Sequence, residues 1–557
     1  MSGFKNLLCL TSLAALCACA TPAIHGVHQP SLAASSLPPD LDGSAYGLFL
    51  AGQEAVNSGH TATAESLFSR AAASDGSHHP SGGSHHGPAV EPELASLTAL
   101  VRGVEAMTQG DARQARLLLA PQAAGAPHRA AVALLAPWAA AQAGDAEASI
   151  VHPVLPGEPI AQFFASLDQG KLFERAHRYG EAETTFRVLI GAGDPGGIAS
   201  ASLGEMLERR GDWPKAVEVY DQALAHNPDD GPLKAARARA AAHGRAPAIG
   251  SIREAAAEAL IAPATALMIQ KQEEAALAYL RLALRLDPGR SEAWMLVGDI
   301  LSDVGDVDGA RAAYLRPQPD SDEFVAARGK LAWSYQASGD KAAALKIARE
   351  TMAARSASQD ASVTYADLLR SDERYDESVQ VLGPLIAAQG EHPDWRLLYM
   401  RAVGLEESGH WADAERDLST ALKLRPEEPE LLNFLGYSWI DRGENLPQAI
   451  AMVQKAVDLN PQSGAMLDSL GWGYFKTGDF KKAVENLEAA VVLDPSDPDV
   501  NNHLGDAYWR VGRKTEAAFQ WRRVLTLEPS DKLKAEAEAK LKSGLEAPPA
   551  ASVVAGQ

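Results

Sequence analysis

The sequence predicts an all-α protein built as an α-solenoid, a stack of about 11–13 helix hairpins. The main observation is a pattern of Gly, Ala and Pro that recurs every 34 or 35 residues. A second observation is that strand-like alternation is scarce and Ala-rich helical patterns dominate. A chain of 557 residues would otherwise suggest three or four globular domains. Stacked repeats remove that expectation, because each repeat buries its apolar face against its neighbours.

The recurring positions divide between the two helices of each hairpin. The first helix carries Gly436, Gly471 and Gly505, the second carries Ala414, Ala449, Ala483 and Ala517, and the hairpin closes at Pro426, Pro461, Pro495 and Pro529. Small residues let two helices approach closely, and Pro ends a helix because it lacks an N–H group. We expect Tyr508 and Trp521 to fill the gap between neighbouring repeats. Gly512 falls between two helices, where a left-handed residue is favoured.

The pattern Leu-Gly-x-x-Tyr … Ala-x-x-x-Phe … Pro resembles the tetratricopeptide repeat (TPR) family. This resemblance implies a superhelix of hairpins whose first helices line a concave groove. Clear repeats start near Tyr46, Ser96, Phe163, Gly197, Ala257, Ser291, Val325, Trp395, Leu431, Gly464 and Pro498, and weaker ones lie near Ala130 and residues 365–382.

The register predicts how the chain is organised. We expect an N-terminal array over residues 44–230, an irregular helical connection over 231–256, a C-terminal array over 257–531, a capping helix over 532–545 and a disordered tail over 546–557. Pro263 predicts a kink in its helix or a late start. A His-, Gly- and Ser-rich loop at 76–90 contains two His-His pairs that could bind Zn or Cu weakly. A flexible insertion is the favoured interpretation, so we predict no metal.

The N-terminus predicts a secreted, lipid-anchored protein. Residues 1–18 have one Lys, a short apolar run and small residues, which is typical of a signal peptide. Leu16 and Ala18 before Cys19 resemble a bacterial lipobox. That resemblance implies lipidation of Cys19, and Ala20 then favours the outer membrane. A flexible tether over 19–43 would follow. An ordinary signal peptide is the alternative.

Charge and motifs exclude other classes of function. Lys and Arg number 51 against 72 Asp and Glu, a net charge of −21, and no basic cluster stands out. Nucleic acid is therefore a poor partner. Zincin, nucleophile-elbow and phosphate-loop patterns are missing, and Cys9, Cys17 and Cys19 are the only cysteines. We predict that the chain is not an enzyme and needs no cofactor.

A stripe of polar and aromatic residues on successive first helices is the candidate binding surface. In TPR proteins the positions one residue beyond the helix-packing positions line the concave groove. We define the polar stripe as the residues at or beside these positions: Tyr399, Asn433, Tyr437, Asp468, Trp472, Phe475, Asn502, His503, Asp506 and Trp509. Amide side chains can bond an extended peptide backbone, and large aromatics are typical of binding hot spots. The alternative is that these aromatics pack between adjacent first helices.

The predicted function is a non-catalytic adaptor on the periplasmic side of the outer membrane. The chain resembles bacterial outer-membrane TPR lipoproteins, some of which bring substrates, often peptidoglycan hydrolases, to a C-terminal-processing protease. Protein partners and a membrane anchor through lipid alone are therefore expected. The alternative is a structural accessory lipoprotein of a pilus, secretion or polysaccharide-export machine.

Overall fold

The computed structural model describes residues 45–60, 63–64, 66–67, 70, 90–120, 128–228, 230–356 and 358–545. The predicted signal peptide, Cys19, the tether over 19–43, most of the loop at 76–90 and the tail over 546–557 lie outside the described residues. Within the described part the regular structure is helical, and no strand occurs there.

The described helices, in chain order, are α1 (Ala45–Asn57), α2 (Val90–Gln109), α3 (Ala112–Leu118), α4 (Arg129–Gln142), α5 (Ala146–Ser149), α6 (Pro159–Arg175), α7 (Tyr179–Ala192), α8 (Ile198–Arg209), α9 (Trp213–His226), α10 (Gly231–Ala241), α11 (Ile252–Ile269), α12 (Glu273–Leu286), α13 (Ser291–Asp303), α14 (Val307–Tyr314), α15 (Phe324–Ala337), α16 (Lys341–Ala354), α17 (Gln359–Ser371), α18 (Tyr375–Ala388), α19 (Trp395–Glu407), α20 (Trp411–Leu424), α21 (Pro429–Arg442), α22 (Leu446–Leu459), α23 (Gly464–Lys476), α24 (Phe480–Leu493), α25 (Pro498–Arg510), α26 (Lys514–Val524) and α27 (Asp531–Ser543).

These helices form hairpins of consecutive elements. The hairpins are α2–α3, α4–α5, α6–α7, α8–α9, α11–α12, α13–α14, α15–α16, α17–α18, α19–α20, α21–α22, α23–α24 and α25–α26. The predicted fold class, an all-α array of about 11–13 hairpins, is confirmed. Helix α11 begins at Ile252, capped by Ser251, and runs through Pro263, so a late start for that helix is wrong.

The small first-helix residue allows a side chain sixteen positions later to fill its own hairpin. A Cβ atom added at Gly471 would lie 2.6 Å from Leu487 Cγ, and one at Gly505 would lie 2.5 Å from Trp521 Nε1. Trp521 therefore packs inside its own hairpin, and the expectation that it fills the gap between repeats is wrong. That expectation is confirmed for Tyr508, whose hydroxyl donates to Glu488 on α24 at 2.8 Å.

The turns inside the hairpins use left-handed residues, as predicted. Gly512 has φ of 86°, and Gly305 has φ of 83°. Two other hairpins place His177 and Lys271 at the same turn, with φ of 60° and 59°. These L-residues adopt a conformation that costs about 1–2 kcal/mol.

The described residues divide into two compact units, residues 45–361 and 362–545. We call them the N-terminal and the C-terminal unit. In the C-terminal unit each hairpin packs on the next from α17 to α26, and α27 covers the last one. Leu533 and Ala537 are the buried residues of α27, which lies against the α25–α26 hairpin.

The N-terminal unit departs from neighbour-only stacking. Helix α12 packs against α1 and α2, which are far away in the sequence. Arg281 Nε donates to the carbonyl oxygen of Asn57 at 2.9 Å, and Arg285 forms an ion pair of 2.8 Å with the buried Glu105. The expectation that repeats contact only their neighbours is therefore wrong in this unit. Helix α12 is covered on most of its surface, because from Ala276 to Leu286 every residue except Arg281 and Arg285 is buried, and these two arginines make the polar contacts with Asn57 and Glu105.

Candidate functional site

The polar stripe lies on α19, α21, α23 and α25, the first helices of four consecutive hairpins in the C-terminal unit. Its five non-aromatic and imidazole side chains are buried: Asn433, Asp468, Asn502, His503 and Asp506 are exposed by 5%, 7%, 5%, 7% and 4%. Its five larger aromatics, Tyr399, Tyr437, Trp472, Phe475 and Trp509, are partly buried. The stripe is thus more deeply packed than its sequence pattern suggests.

The centre of the stripe is a stack of rings between α23 and α25. The ring of Trp472 stacks on that of His503, with centroids 4.1 Å apart, and on Phe475, with centroids 4.8 Å apart. His503 Nδ1 lies 2.9 Å from the Oδ2 atom of Asp468. Lys476 Nζ lies 5.2 Å from the centroid of the Trp472 ring. These contacts join α23 and α25, so part of the stripe is packing between first helices.

The pKa of His503 reflects two opposing effects. Burial lowers it, because it disfavours the charged ring, but the Asp468 carboxylate attracts the proton and bonds the ring. The net effect raises the pKa of His503 above its ordinary value of 6.5. The pair therefore favours an imidazolium–carboxylate contact in the folded chain.

The C-terminal end of the stripe is covered by the helix α27. Lys540 Nζ donates to Asn502 Oδ1 at 2.9 Å and to Asp506 Oδ2 at 2.8 Å. Trp521 Nε1 donates to Asp506 Oδ1 at 3.0 Å. Burial raises the pKa of Asp506, and Lys540 opposes this rise. The amide oxygen of Asn502 and both carboxylate oxygens of Asp506 are therefore already hydrogen-bonded within the chain.

Trp509 is covered by the same segment. A Cβ atom added at Gly544 would lie 2.1 Å from Trp509 Cζ2, and the ring also lies 5.4 Å from that of Trp521. The prediction that Asn502, His503, Asp506 and Trp509 stand open to a peptide is wrong for this structure. The sequence pattern predicted the capping helix but gave no sign that it reaches over the stripe.

Of the other six residues, Asp468 pairs with His503. The five that are left form what we call the open part of the stripe: Tyr399, Asn433, Tyr437, Trp472 and Phe475. Tyr399 packs edge-to-face on Phe434, and burial raises the pKa of both Tyr399 and Tyr437. Asn433 Oδ1 and Trp472 Nε1 are buried and have no hydrogen-bond partner among the described residues. Native chains pair about nine in ten such groups, so an acceptor and a donor left over on neighbouring first helices need an explanation.

A second candidate site, which the sequence did not predict, lies in the N-terminal unit. A cavity of about 500 Å³ opens between α6, α8, α11 and the start of α13. The connection between α10 and α11 forms one wall with Ala248, Ile249 and Gly250. The only sequence signal was the break in register over residues 231–256.

Carboxylates dominate the lining of this cavity, which we call the acidic cavity. Its carboxylates are Glu174, Glu205, Glu254, Glu258, Asp287, Glu292 and Glu323, and its cations are Lys171, Arg175, Arg209 and Arg290. The carboxylates outnumber the cations by three. Around the described residues we find no group of three or more His, Cys, Asp or Glu side chains arranged to hold a metal ion.

Each cation of the acidic cavity has at least one partner, although the buried Nε atoms of Arg175 and Arg290 make no hydrogen bond in the described part of the chain. Lys171 Nζ lies 2.7 Å from Glu258 Oε1, and Arg209 binds Glu174 through two hydrogen bonds of 2.9 and 3.0 Å. Arg290 pairs with Asp287, and Arg175 donates to the carbonyl oxygen of Gly250. In contrast, the carboxylates of Glu292 and Glu323 pair with no cation in the described part of the chain. Burial raises the pKa of Glu292.

Two buried polar groups lie beside this lining. Trp138, which is 1% exposed, lines the cavity, and its Nε1 atom has no hydrogen-bond partner within the described ranges. The Oδ2 atom of Asp168, on a side chain 5% exposed, is also unpartnered there. Burial raises the pKa of Asp168 to about 7, although Lys171 lowers it. The Trp138 indole lies beside this carboxylate and also lowers that pKa.

Comparison with known families supports repeats of one type. A tetratricopeptide repeat model matches residues 167–232, 264–323 and 399–464, and a second TPR model matches residues 473–512. These segments are therefore similar to tetratricopeptide repeats. Proteins with such repeats mediate protein–protein interactions, and the scaffold is typically non-catalytic.

Individual relatives are similar over part of their length or at low identity. A TPR repeat-containing protein of Pseudomonas aeruginosa is 30% identical over 118 residues, which cover 21% of this chain and 20% of that protein. A chain of the APC/C hetero-tetramer Cut9-Hcn1 is 14% identical, with coverage of 90% and 97% and a TM-score of 0.38. A TPR protein from Parabacteroides merdae is 16% identical, with coverage of 45% and 97% and a TM-score of 0.38.

None of the described helices combines the length and the apolar character that crossing a bilayer requires.

Proposed function

We propose that this array of tetratricopeptide repeats is a non-catalytic adaptor that binds an extended segment of a protein partner along the open part of the stripe. The observation that carries the proposal is the pair of unsatisfied groups, Asn433 Oδ1 and Trp472 Nε1. They lie on the neighbouring first helices α21 and α23. Asn433 is three residues before Gly436 and Trp472 is one residue after Gly471, so their repeat positions differ by about one helical turn. A peptide backbone offers one donor and one acceptor per residue, which is what this pair lacks.

Aromatic area beside these two groups supports the same proposal. Tyr399, Tyr437 and Phe475 are each partly exposed, and they flank the two polar groups on α19, α21 and α23. Rigid aromatic side chains supply contact area with little loss of conformational entropy, and they are frequent among binding hot spots. A segment lying across these helices would bury aromatic surface and satisfy the two polar atoms together.

We place the adaptor at the periplasmic face of the bacterial outer membrane, held there by lipid on Cys19. The lipobox sequence before Cys19 supports this location. Several acyl chains give stable anchoring, where a single chain is marginal. The expected partners are an envelope protease of the C-terminal-processing type and peptidoglycan hydrolases, which the adaptor would bring together.

Capture from crosslinked cell envelopes tests this proposal. The wild-type chain should enrich a protease and hydrolases, whereas enrichment of secretin or pilus subunits would favour the alternative of an accessory lipoprotein in an envelope machine. Asn433→Leu keeps the side-chain volume and removes the unsatisfied acceptor, so it should keep the fold and weaken capture about tenfold. The matched control is Phe519→Ala, because Phe519 is 64% exposed on the second helix α26 and lies off the stripe.

The two variants separate a fold effect from a binding effect. The proposal stands if Asn433→Leu melts at or above the wild-type temperature, captures less of the same partner, and Phe519→Ala captures as the wild type does. Capture by Asn433→Leu at the wild-type level would remove the stripe as the binding surface. A wild-type chain that enriches nothing over an unrelated lipoprotein would remove the adaptor function itself.

A further inference from the structure

The C-terminal end of the stripe holds a charged group that the chain itself supplies. We call Asn502, Asp506 and Trp509 the covered end of the stripe, because α27 or its C-cap residue Gly544 contacts each of them. The Lys540 ammonium donates to Asn502 Oδ1 at 2.9 Å and to Asp506 Oδ2 at 2.8 Å. The Lys540 side chain is 16% exposed and that of Asp506 is 6% exposed. These contacts identify an ammonium group as the chemistry that this end of the stripe accepts.

Few apolar contacts hold α27 in this position. Of its thirteen residues, Leu533 and Ala537 are the two that are fully buried, whereas the shorter helix α26 buries three, one of them Trp521. The attraction between Lys540 and Asp506 is largely offset by the hydration that both charges lose on burial. Elements with few buried apolar contacts open before the rest of a structure does. Undocking of α27 would return both charges to water and leave the core of the α25–α26 hairpin in place.

The covered end borders the open part of the stripe. His503 follows Asn502 in α25, and its ring stacks on that of Trp472 with centroids 4.1 Å apart. Trp509 and Phe475 pack against the same apolar cluster. A segment that lies on α21 and α23 and continues in the same direction reaches α25, where it meets α27.

We propose that α27 is an autoinhibitory element whose Lys540 fills a lysine site of the stripe, and that a partner segment carrying a lysine displaces it. The inference rests on the proposed function, because it takes the stripe as the surface for the partner. An ammonium group has three N–H donors, so it serves the amide oxygen of Asn502 and the carboxylate of Asp506 together. The exchange of one ammonium for another conserves the charge and the hydrogen bonds of the site, and it uncovers Trp509 for contact with the partner.

The tether gives this contact a role in specificity. A group joined to its site by a short flexible linker acts at an effective concentration on the order of millimolar. A free lysine side chain therefore competes poorly with Lys540. A segment that is also held along the open part of the stripe competes well, because its own lysine is then tethered too. The cover thus selects partners that engage both parts of the stripe.

The test uses the purified full chain and a peptide copy of α27. The Lys peptide is a fluorescent copy of residues 530–545, and its match carries norleucine at the position of Lys540. Lys540→Met keeps the stem but takes the ammonium away from the buried Asp506, so α27 should undock. Fluorescence anisotropy should show the Lys peptide binding this variant at least about tenfold more tightly than the norleucine peptide does, because charge-assisted hydrogen bonds are the strong ones. The wild type should bind the Lys peptide at least about tenfold more weakly than the variant does, since its own α27 competes.

Two further variants locate the binding. Lys542→Met makes the same change at an exposed lysine of α27, and it should bind the Lys peptide as weakly as the wild type does. Asp506→Asn, added to Lys540→Met, keeps the oxygen that accepts from Trp521 and removes the charge. The Lys and norleucine peptides should then bind alike. Thermal melting of Lys540→Met near the wild-type temperature shows that the C-terminal unit stays folded.

Hydrogen exchange of the wild-type chain repeats the test without a variant. A heavy-isotope Lys peptide at a concentration on the order of millimolar competes with the tethered helix. It should speed exchange in α27, which it displaces, and leave exchange in α26 unchanged. The norleucine peptide should change neither helix.

Three results would overturn the proposal: equal binding of the two peptides to Lys540→Met, equal binding of the Lys peptide to that variant and to the wild type, or exchange in α27 that the Lys peptide does not speed. A wild-type dimer that dissociates in Lys540→Met would also overturn it, because α27 would then cover a second copy. N-acetyl-lysine methylamide that competes as well as the unlabelled Lys peptide would overturn the protein partner in favour of a small amine. None of these results bears on Asn433→Leu, so failure of the proposed function shows separately, as unchanged capture by that variant with the peptide results intact.

Discussion

The indole ring of Trp521 lies against the backbone of Gly505, sixteen residues earlier in the same hairpin, and its Nε1 atom donates to the neighbouring Asp506 at 3.0 Å. A single methyl group at Gly505 would come within 2.5 Å of that nitrogen. The same relation joins Gly471 to Leu487 and Gly204 to Tyr220. The repeat pattern in the sequence therefore reflects one close contact, between a first-helix glycine and the side chain sixteen residues later, that recurs in successive hairpins.

The first prediction tests this contact. Gly471→Ala should lower the free energy of unfolding of the C-terminal unit by about 1–3 kcal/mol, because the added carbon would meet both Leu487 and the carbonyl oxygen of Ala483. The control is Gly191→Ala in α7 of the N-terminal unit, an exposed helical glycine with no contact within 4 Å of the added atom beyond its own helix and chain neighbours. The control should stabilise by up to about 1 kcal/mol through helix propensity. Chemical denaturation followed by tryptophan fluorescence measures both, and equal effects of the two variants would contradict the close contact.

The second prediction concerns the hairpin turns. Lys271 has φ of 59°, where other hairpins place Gly. Lys271→Gly should stabilise the N-terminal unit by up to about 1 kcal/mol, because the left-handed conformation strains an L-residue. Gly305→Ala, at a turn with φ of 83° and open space around it, should destabilise by a similar amount. Thermal melting gives the sign of the stability change for each variant. A loss of stability in Lys271→Gly would show that the lysine side chain stabilises the unit by more than the backbone strain costs.

The hairpins could be predicted from the sequence because the residues that determine them act locally. Gly505, Ala517 and Pro529 each act through contacts or backbone limits inside one repeat, so their period is visible in one sequence. The fold-back of α12 onto α1 and α2 depends instead on contacts such as that of Arg281 with the carbonyl oxygen of Asn57. No periodic pattern encodes a contact between hairpins so far apart.

The candidate site was predictable only in part, for a similar reason. The stripe pattern correctly placed polar and aromatic residues on successive first helices, but it did not show which of them the chain itself uses. Lys540 donates hydrogen bonds to Asn502 and Asp506, and Gly544 packs on Trp509. The acidic cavity was missed, because its wall is the irregular connection around Ile249, where the repeat register stops.

The third prediction follows from the buried pair of His503 and Asp468. The folded-state pKa of His503 lies above 6.5, so the folded chain binds its proton more tightly than the unfolded chain does. This stabilisation is complete below the unfolded pKa of about 6.5 and is lost as the pH rises through the folded pKa. The difference in free energy of unfolding between the wild type and His503→Gln should therefore be larger at pH 6 than at pH 9.

Denaturation at these two pH values measures the difference, and a titration of the His503 ring by NMR gives its pKa directly. Asp468→Asn removes the main source of the rise, so the pKa of His503 should then fall. A wild-type His503 that titrates below 6.5 would contradict the pair as described.

The fourth prediction separates two tryptophans of the stripe. Trp509→Ala should lower the free energy of unfolding of the C-terminal unit by about 3–5 kcal/mol, because the ring packs on Gly544 and beside Trp521. Trp472→Phe keeps a stacking ring and removes an unsatisfied N–H group, so it should leave the stability nearly unchanged and weaken partner capture several-fold. Melting curves and capture by the same preparations test both. Unchanged melting of Trp509→Ala would mean that the packing of this ring on Gly544 and beside Trp521 contributes little to the stability of the C-terminal unit.

The most direct test of the central claim is hydrogen exchange of the full chain, measured by mass spectrometry with and without its captured partner. A partner segment lying along the open part of the stripe should slow exchange in α21 and α23, Pro429–Arg442 and Gly464–Lys476, relative to the second helices α22 and α24. Unchanged exchange in α21 and α23, while the partner is bound and other helices are protected, would contradict the account and place the partner elsewhere on the chain.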